Sequence, residues 1–544
     1  MPSAGLSGSW LPEGLFFARF GLKFPGGTRR RRGEAQLVRR KMLIPVLLAT
    51  LAVASSAQPK SEEELRLMLQ NFESYAEKSR REWQTPGMAV ALVLDNRVVY
   101  SRGFGVRRAG GNEPVTPETI FQIGSISKSF TAGLVAQLVD EKKLNWNDPI
   151  TDAFPDFRLF DPWVTRQFTV EDSMAQRSGM PAYAGDLLAF MGCDREQILA
   201  AMRHIQPVSS FRSQFGYVNN LWLAAARVIE KHRGEGWEAC VRGRIFEPLG
   251  MAHSSTGAQA LYSAPNHADP HLPGSPAPLA LGPQWPYTQW VYTYGPAGGI
   301  NSNVLDMARY ARAQLSGGLE GKSLWSRASL ERMHTPHVYA GGEPRQPAEN
   351  LAQVGRMSYC LGWIRQEMNP LPLVWHNGGT SGCKAVVGLV PDHNMAIVVL
   401  SNLGGTELPE ALMYRFYDLA LGRPQQDYSA QFLKTSKARQ QGGPKRPASP
   451  QPPLALHNYA GSYFNPCYGE LKIRVGEGQL LAQLGKNMRF SCQPWNRDTF
   501  RFDDFVNPAD PPQFLTFQLS PEGKVTAVEV PSLGDASNGL FEKR

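Results

Sequence analysis

None of the six cysteines falls in a Cys-x-x-Cys pair, and none stands at a zinc-like spacing from a histidine. Zinc ribbons, zinc fingers and dithiol redox motifs are therefore excluded, and no metal ligand set is expected. No glycine-rich phosphate loop occurs, so nucleotide chemistry has no starting point. No internal repeat is found, which excludes solenoids and propellers. Charged residues make up only 19% of the chain and hydrophobic ones 42%, a globular rather than a disordered balance. The net charge of +9 would suggest a nucleic-acid partner if it were spread over the fold. It is not: residues 1–57 hold nine Lys or Arg against two Glu, which leaves +2 for residues 58–544. One basic leader is not a nucleic-acid groove, and no nucleic-acid partner is expected.

What is present begins with that leader. Arg39, Arg40 and Lys41 precede a short apolar run over residues 43–54, and Ser55 to Ala57 supply small residues for cleavage. This pattern predicts a secretory signal peptide with a mature start near Gln58, and so a secreted or periplasmic protein. Met42 stands where a start would give a compact signal, so residues 1–41 fit a misassigned start. The run is too short for a confident membrane span, and a membrane enters the reading only if the leader stays uncleaved. Export would permit disulfides. Cys467 with Cys492 is the one pairing the sequence suggests; buried free thiols are the alternative.

Residues 61–83 place Leu65, Leu67, Leu69, Phe72 and Tyr75 at helical spacing, with acids early and bases late, as a helix dipole prefers. Two apolar runs then meet at Asp95-Asn96, a hairpin signal. A second such pair meets at Pro391 to Asn394 and leads into a helical stretch, ELPEALMYRFYDLALG. Helix and hairpin first, hairpin and helix last, predict an α+β fold: an antiparallel sheet assembled from both ends of a domain over 58–430 and flanked by helices. The middle, about 125–345, forms a helical lobe beside the sheet. Residues 433–453 carry no acid and no apolar period, and 431–453 read as a linker to a separable partner. Residues 454–544 alternate apolar and polar at strand spacing between Gly, Asn and Pro turns, a small all-β domain.

Chemistry enters through Ser-x-x-Lys, a pattern that a chain of this length shows roughly twice by chance. It occurs twice, at Ser125/Lys128 and at Ser381/Lys384. Ser125 opens a helical stretch whose stripe is Phe130, Leu134, Val135 and Leu138, so it stands at a helix start, where free N–H groups can hold an oxyanion. Lys128 lies on the same face, and burial would lower its pKa until it could take the serine proton. Ser381 stands instead in a glycine-rich turn before a β-branched run. Tyr217 and Asn219 form a Tyr-x-Asn on the loop entering a further helix, where a phenol beside an ammonium can ionise or relay a proton and an amide can orient substrate. A second Tyr-x-Asn, Tyr463/Asn465, lies in the β domain. His376, Asn377, Gly378 and Gly379 lead into the edge of the expected terminal sheet, where glycines allow substrate near the backbone.

Ser-x-x-Lys, then Tyr-x-Asn, then His-x-Gly, in that order, resembles the serine β-lactamase and penicillin-binding-protein superfamily, in its class C β-lactamase, D-aminopeptidase and esterase branch. The flanks TIFQIGSISKSFTA, RIFEPLGMAHSS, PAGGINSNVLDMARY and YCLGW agree, over about residues 60–425. The tail YAGSYFNPCYGEL is similar to the lipocalin-like C-terminal domain of some such hydrolases. The resemblance implies a β-lactamase-like domain followed by that small barrel, with no cofactor. It implies Ser125 as the acylated nucleophile, Lys128 as its base and Tyr217 as a partner in proton transfer. Asn219 would hold the substrate amide. His376, Asn377, Gly378 and Gly379 would border the substrate, and the backbone N–H groups of Ser125 and Gly379 would form the oxyanion hole. His376 departs from the Lys that β-lactamases usually carry there, which turns the expectation from antibiotics toward peptides, amides, possible D-amino-acid substrates, or esters. The partner is thus a small molecule or peptide, and a homo-oligomer is allowed. Two other readings stay open on the residues alone. One is a non-catalytic sensor or docking protein on the same fold; the other is a true class C-type β-lactamase.

Overall fold

A computed structural model describes residues 61–274, 276–341, 355–368, 370–441, 444–503, 511–533 and 539–544. The leader, its apolar run and the expected cleavage near Gln58 lie outside the described residues.

Helix α1, Glu62–Glu82, begins where the Ser61 side chain accepts the Glu64 N–H. Three glutamates follow in its first turn, and Arg80 and Arg81 close its last, matching the helix dipole. Its buried face is Met68, Phe72, Tyr75, Ala76 and Ser79. Leu67, assigned to that face from sequence, is 51% exposed. Strands β1 (Gly87–Leu94) and β2 (Arg97–Gly105) form the expected hairpin. Its turn residues Asp95 and Asn96 have φ of 49° and 57°, the left-handed pair that matches strand twist.

The sheet is completed by β3 (Val338–Tyr339), β4 (Met357–Tyr359), β5 (Ile364–Gln366), β6 (Leu373–Gly379), β7 (Lys384–Val390) and β8 (Met395–Ser401). All pairs are antiparallel, in the order β3-β4-β5-β6-β7-β8-β1-β2. Both ends of the domain therefore meet inside the sheet, where Met88 to Val93 pair with Ser401 to Ala396. Every residue of β1 and β8 is buried, because helices cover both faces. One face carries α1 and a C-terminal helix over Leu408–Ala420, whose Phe416 meets Phe72 edge to face at 6.3 Å. A helix over Val304–Ser316 packs on the other.

The helical lobe holds α2, Ser127–Asp140, and α3, Leu221–Arg233. All residues of α2 from Ser127 to Leu138 are buried, so the expected one-sided stripe is a helix packed on every side. A helix over Tyr428–Gln441 enters the stretch read as a linker. Tyr428 and Phe432 anchor it on Tyr414, with ring centroids 5.3 and 6.2 Å away, so residues 433–441 continue a helix that tertiary packing started.

Beyond it, eight strands close into an antiparallel barrel in simple sequential order. They are β9 (Gly461–Asn465), β10 (Gly469–Gly476), β11 (Gln479–Leu484), β12 (Met488–Asn496), β13 (Thr499–Phe502), β14 (Gln513–Leu519), β15 (Val525–Glu529) and β16 (Leu540–Lys543). Pairing of Tyr463 with Lys543 joins the last strand to the first, which removes the sheet edges. Leu471 and Ile473 point in while Lys472 and Arg474 point out, the period-two pattern read from sequence. Cys467 and Cys492 are both buried and both free thiols, so the suggested disulfide does not form. Cys467 instead faces the N-terminal domain, where burial first and Cys193 second push its thiol pKa up to about 12.

Candidate active site

Ser125 stands in a single 3-10 turn, Gly124–Ile126, that runs directly into α2. Lys128 follows one turn later, and its Nζ lies 3.0 Å from Ser125 Oγ. The same Nζ lies 2.7 Å from Asn219 Oδ1 and 2.9 Å from the Ala297 carbonyl oxygen. Three N–H bonds thus have three acceptors when the amine is protonated. Lys128 is nevertheless fully buried, and burial lowers its pKa from the ordinary 10.5 to about 7 against an opposing pull from Asp186. A lysine so poised can accept the serine proton near neutral pH.

Tyr217 and Asn219 arrive on the loop before α3. That loop is held by Gln176, whose backbone oxygen accepts Gly216 N–H at 3.0 Å and whose Oε1 accepts Val218 N–H at 2.7 Å. The Tyr217 ring lies 4.8 Å from Lys128 Nζ, and its hydroxyl bonds to Ser125. Burial, then the neighbouring Tyr359, push the Tyr217 pKa well up. Of the two roles read for this phenol, relay of a proton therefore fits and ionisation does not. Asn219 is oriented from both sides: Oδ1 accepts from Lys128, and Nδ2 donates to Asp186 Oδ2 at 2.7 Å.

The end of β6 lies against the turn that carries Ser125. A Cβ on Gly378 would come within 1.8 Å of the Ile123 carbonyl oxygen and 3.0 Å of Ser125 N, so only glycine permits the approach. Gly124, at φ +53°, is also confined: a Cβ there would come within 2.7 Å of Gly379 N. The amides of Ser125 and Gly379 are thereby brought side by side, and nothing stands over Gly379 on its open side. His376 is 1% exposed. Its Nδ1 donates to the Asn377 carbonyl oxygen at 2.5 Å, which leaves Nε2 to accept the Tyr359 hydroxyl at 3.1 Å. Burial first, and Lys128 second, lower its pKa to about 3, so the imidazole is neutral. The Asn377 side chain turns to the other face of the sheet and donates to Glu410 at 2.8 Å.

Ser125, Tyr217, Asn219, His376, Asn377 and Gly379 border one cavity of about 330 Å³, with Lys128 behind Ser125 and outside the lining. Its walls are strongly aromatic, with Tyr183, Phe215, Trp290, Tyr294 and Tyr359 beside Tyr217. Lys384 is the cation in its lining, paired with Glu410 at 2.9 Å. The competing motifs are separated by their own partners. Ser381 Oγ accepts the Trp290 indole N–H at 3.1 Å, while Lys384 is taken by Glu410. Tyr463 donates to the Tyr459 carbonyl oxygen, inside the barrel.

Sequence reasoning missed Asp186, Tyr359 as the partner of His376, and the carbonyl of Ala297. Asp186 is 33 residues from the amide it orients, in a loop with no periodic or motif signal. Tyr359 and Ala297 lie within stretches quoted for their family likeness, but a backbone acceptor leaves no trace in residue identity.

The profile of the Beta-lactamase family matches residues 72–422, and that of a domain of unknown function, DUF3471, matches residues 445–539. Among curated proteins, the chain is 29% identical over 520 residues to unguisins hydrolase ungD' of Aspergillus campestris (strain IBT 28561), covering 88% of this chain and 92% of that one. It is 27% identical over 335 residues to penicillin-binding protein 4 of Amycolatopsis lactamdurans, covering 60% and 83%. Among solved structures, the octameric penicillin-binding protein homologue from Pyrococcus abyssi aligns with a TM-score of 0.57 at 22% identity, over 88% of this chain and 98% of that one. SurE aligns at 0.53 and 18% identity, over 88% and 100%. These structural likenesses concern the fold.

Proposed function

The chain belongs to the beta-lactamase family of hydrolases, and from that premise we propose that it cleaves amide or peptide bonds, and esters, through an acyl-enzyme on Ser125. The observation that carries this reading is the 3.0 Å contact between Ser125 Oγ and a buried lysine whose pKa is near 7. In its free-base form Lys128 takes the Ser125 proton as Oγ attacks the substrate carbonyl carbon. The carbonyl electron pair moves onto oxygen, which the amides of Ser125 and Gly379 stabilise; one such donor is worth about 10²–10³ in rate. The new ammonium is held by Asn219 Oδ1 and the Ala297 carbonyl. As the C–N bond breaks, the leaving nitrogen takes the Tyr217 proton, and the phenol is refilled from Lys128. Water then attacks the acyl ester with the same groups in reverse order, and Ser125 recovers its proton.

A phenol kept neutral favours amides over esters as the natural substrate, because an amine leaves only once protonated. The aromatic walls favour an apolar side chain next to the scissile bond. Carboxylated β-lactams are disfavoured: His376 carries no charge, and Lys384 is neutralised by Glu410. The relative named for unguisins spans both domains, which supports a hydrolase that uses the barrel as part of its working form. The test is a serine-reactive probe on the full chain, read by mass spectrometry. One label on Ser125, lost in Ser125→Ala and kept in Ser381→Ala, is expected. A folded protein that takes no label, or that labels elsewhere, would overturn the reading.

A further inference from the structure

The barrel is joined to the hydrolase domain at the loop that carries Asp186. Gly185, the residue before it, has its peptide gripped from both domains. Its N–H is accepted by the hydroxyl of Tyr468, in the barrel, at 3.2 Å, and its carbonyl oxygen accepts the Tyr294 hydroxyl at 3.0 Å. Tyr468 is 4% exposed and uses its own proton on the Leu533 carbonyl oxygen at 2.5 Å, so its lone pair faces Gly185. Asn465 fixes the base of this tyrosine by accepting the N–H groups of Cys467 and Tyr468 at 2.8 and 3.0 Å. Six residues on, a second grip occurs: the Met191 carbonyl oxygen accepts Lys486 N–H at 2.8 Å and Asn487 N–H at 3.3 Å, from the turn between β11 and β12. Gly185 itself has φ +78°, and a Cβ there would come within 2.5 Å of Asn220 Nδ2, so the peptide has little room to move.

We propose that Tyr468 is a positioning residue for the hydrolase: by accepting the Gly185 N–H it sets the peptide that places Asp186, and Asp186 in turn holds Asn219 against Lys128. The chain of contacts runs from the barrel to the base in three hydrogen bonds, Tyr468 to Gly185, Asp186 to Asn219 Nδ2 at 2.7 Å, and Asn219 Oδ1 to Lys128 Nζ at 2.7 Å. The titratable groups that Asp186 influences are Lys128, Tyr217, Tyr294 and Tyr468, and those beside Lys128 itself include His376. Of these, Lys128 alone changes charge near neutral pH. Asp186 favours its protonated form, so a looser Asp186 makes it a weaker base. The C-terminal domain thus positions the catalytic residues without lining their cavity.

This inference rests on the acyl-enzyme reading, and its test separates the two. Full-length Tyr468→Phe keeps the ring and removes only the hydroxyl. Its hydrolysis of a short chromogenic acyl ester is followed from pH 5.5 to 8.5. We expect kcat/KM to fall about tenfold, mostly in kcat. The acid limb should move to lower pH, in the same direction as in Asp186→Asn. The double variant should lose no more than Asp186→Asn alone, because both act on one chain of contacts. An unshifted limb, or losses that simply add, would overturn the proposal. Should Tyr468→Phe fail to fold, Gly485→Ala perturbs the loop from the other grip, since its Cβ would press within 2.7 Å of Met191, and the same limb shift is expected. Wild-type protein that never turned over would sink the acyl-enzyme reading. Hydrogen exchange over residues 183–193 would still decide the inference: faster exchange in Tyr468→Phe supports it and unchanged exchange refutes it.

Discussion

Acylation should switch on as pH rises through about 7, because Lys128 has to shed its proton before it can take one from Ser125. An ordinary lysine, at 10.5, is free base in about three molecules per ten thousand at pH 7; Lys128 is free base in about half. Burial thus supplies roughly a thousandfold more base, the equivalent of about 5 kcal/mol between the two protonation states. At pH 6 the free fraction drops to about a tenth, so the pseudo-first-order rate of serine-probe labelling should fall about fivefold between pH 7 and pH 6. Above pH 8 it should level off. His376, lowered to about 3, does not titrate in this range, so His376→Asn should leave a limb within a few tenths of a unit of wild type. Lys128→Arg keeps the positive charge but cannot deprotonate, and labelling should fall by about 10³ or more at every pH. Labelling that is flat from pH 5.5 to 8.5, or a limb abolished by His376→Asn, would refute the assignment of Lys128 as the base.

Tyr217→Phe should slow an amide substrate far more than an activated ester, about 10²-fold against less than tenfold, because only the amine needs the phenol's proton; equal losses on both would return Tyr217 to packing. His376→Lys should raise the ratio of carboxylated cephalosporin to neutral ester turnover by about tenfold across pH 6 to 9, since it restores a charge near the Ser125 and Gly379 amides. If that ratio stays fixed, His376 does not set the preference. Lys128→Met should be inactive yet no less stable. In the unfolded chain this lysine keeps its proton up to about 10.5, but in the folded protein only to about 7, so the burial penalty is full below pH 7 and fades as pH rises to 10.5. About 3 kcal/mol of that penalty remains at pH 8, against roughly 1 kcal/mol for each of Asn219 Oδ1 and the Ala297 carbonyl left unpaired, Ser125 keeping its bond to Tyr217. A clear drop in the urea midpoint at pH 8 would show that Lys128 is held at a gain rather than a cost.

Much of this protein was legible along the chain because its signals are local. Phe72 and Tyr75 recur with helical period, Asp95-Asn96 names its own turn, and Leu471 and Ile473 alternate with charged neighbours. The same is true of Ser125 and Lys128, which one helical turn brings together without help from any other segment. Their chemistry was not local. A helix buried on every side, rather than on one stripe, is what lowers the lysine, and that follows from packing against elements more than 90 residues away, such as Asn219 and Ala297. Helical continuation past residue 432 likewise depended on Tyr414, which no composition count over 433–453 contains. The decoy at Ser381 and Lys384 had the same spacing but lies at a turn entering a strand, and Trp290 and Glu410 hold its polar atoms. Least legible was the tie between the domains. A stretch without acids or apolar period reads as a linker between separable parts, yet Tyr468 and Met191 join them beside the site. A hydrogen bond from one backbone N–H to one tyrosine hydroxyl, 283 residues apart in sequence, requires no particular residue at Gly185 beyond one small enough to fit, so only the folded chain could reveal it.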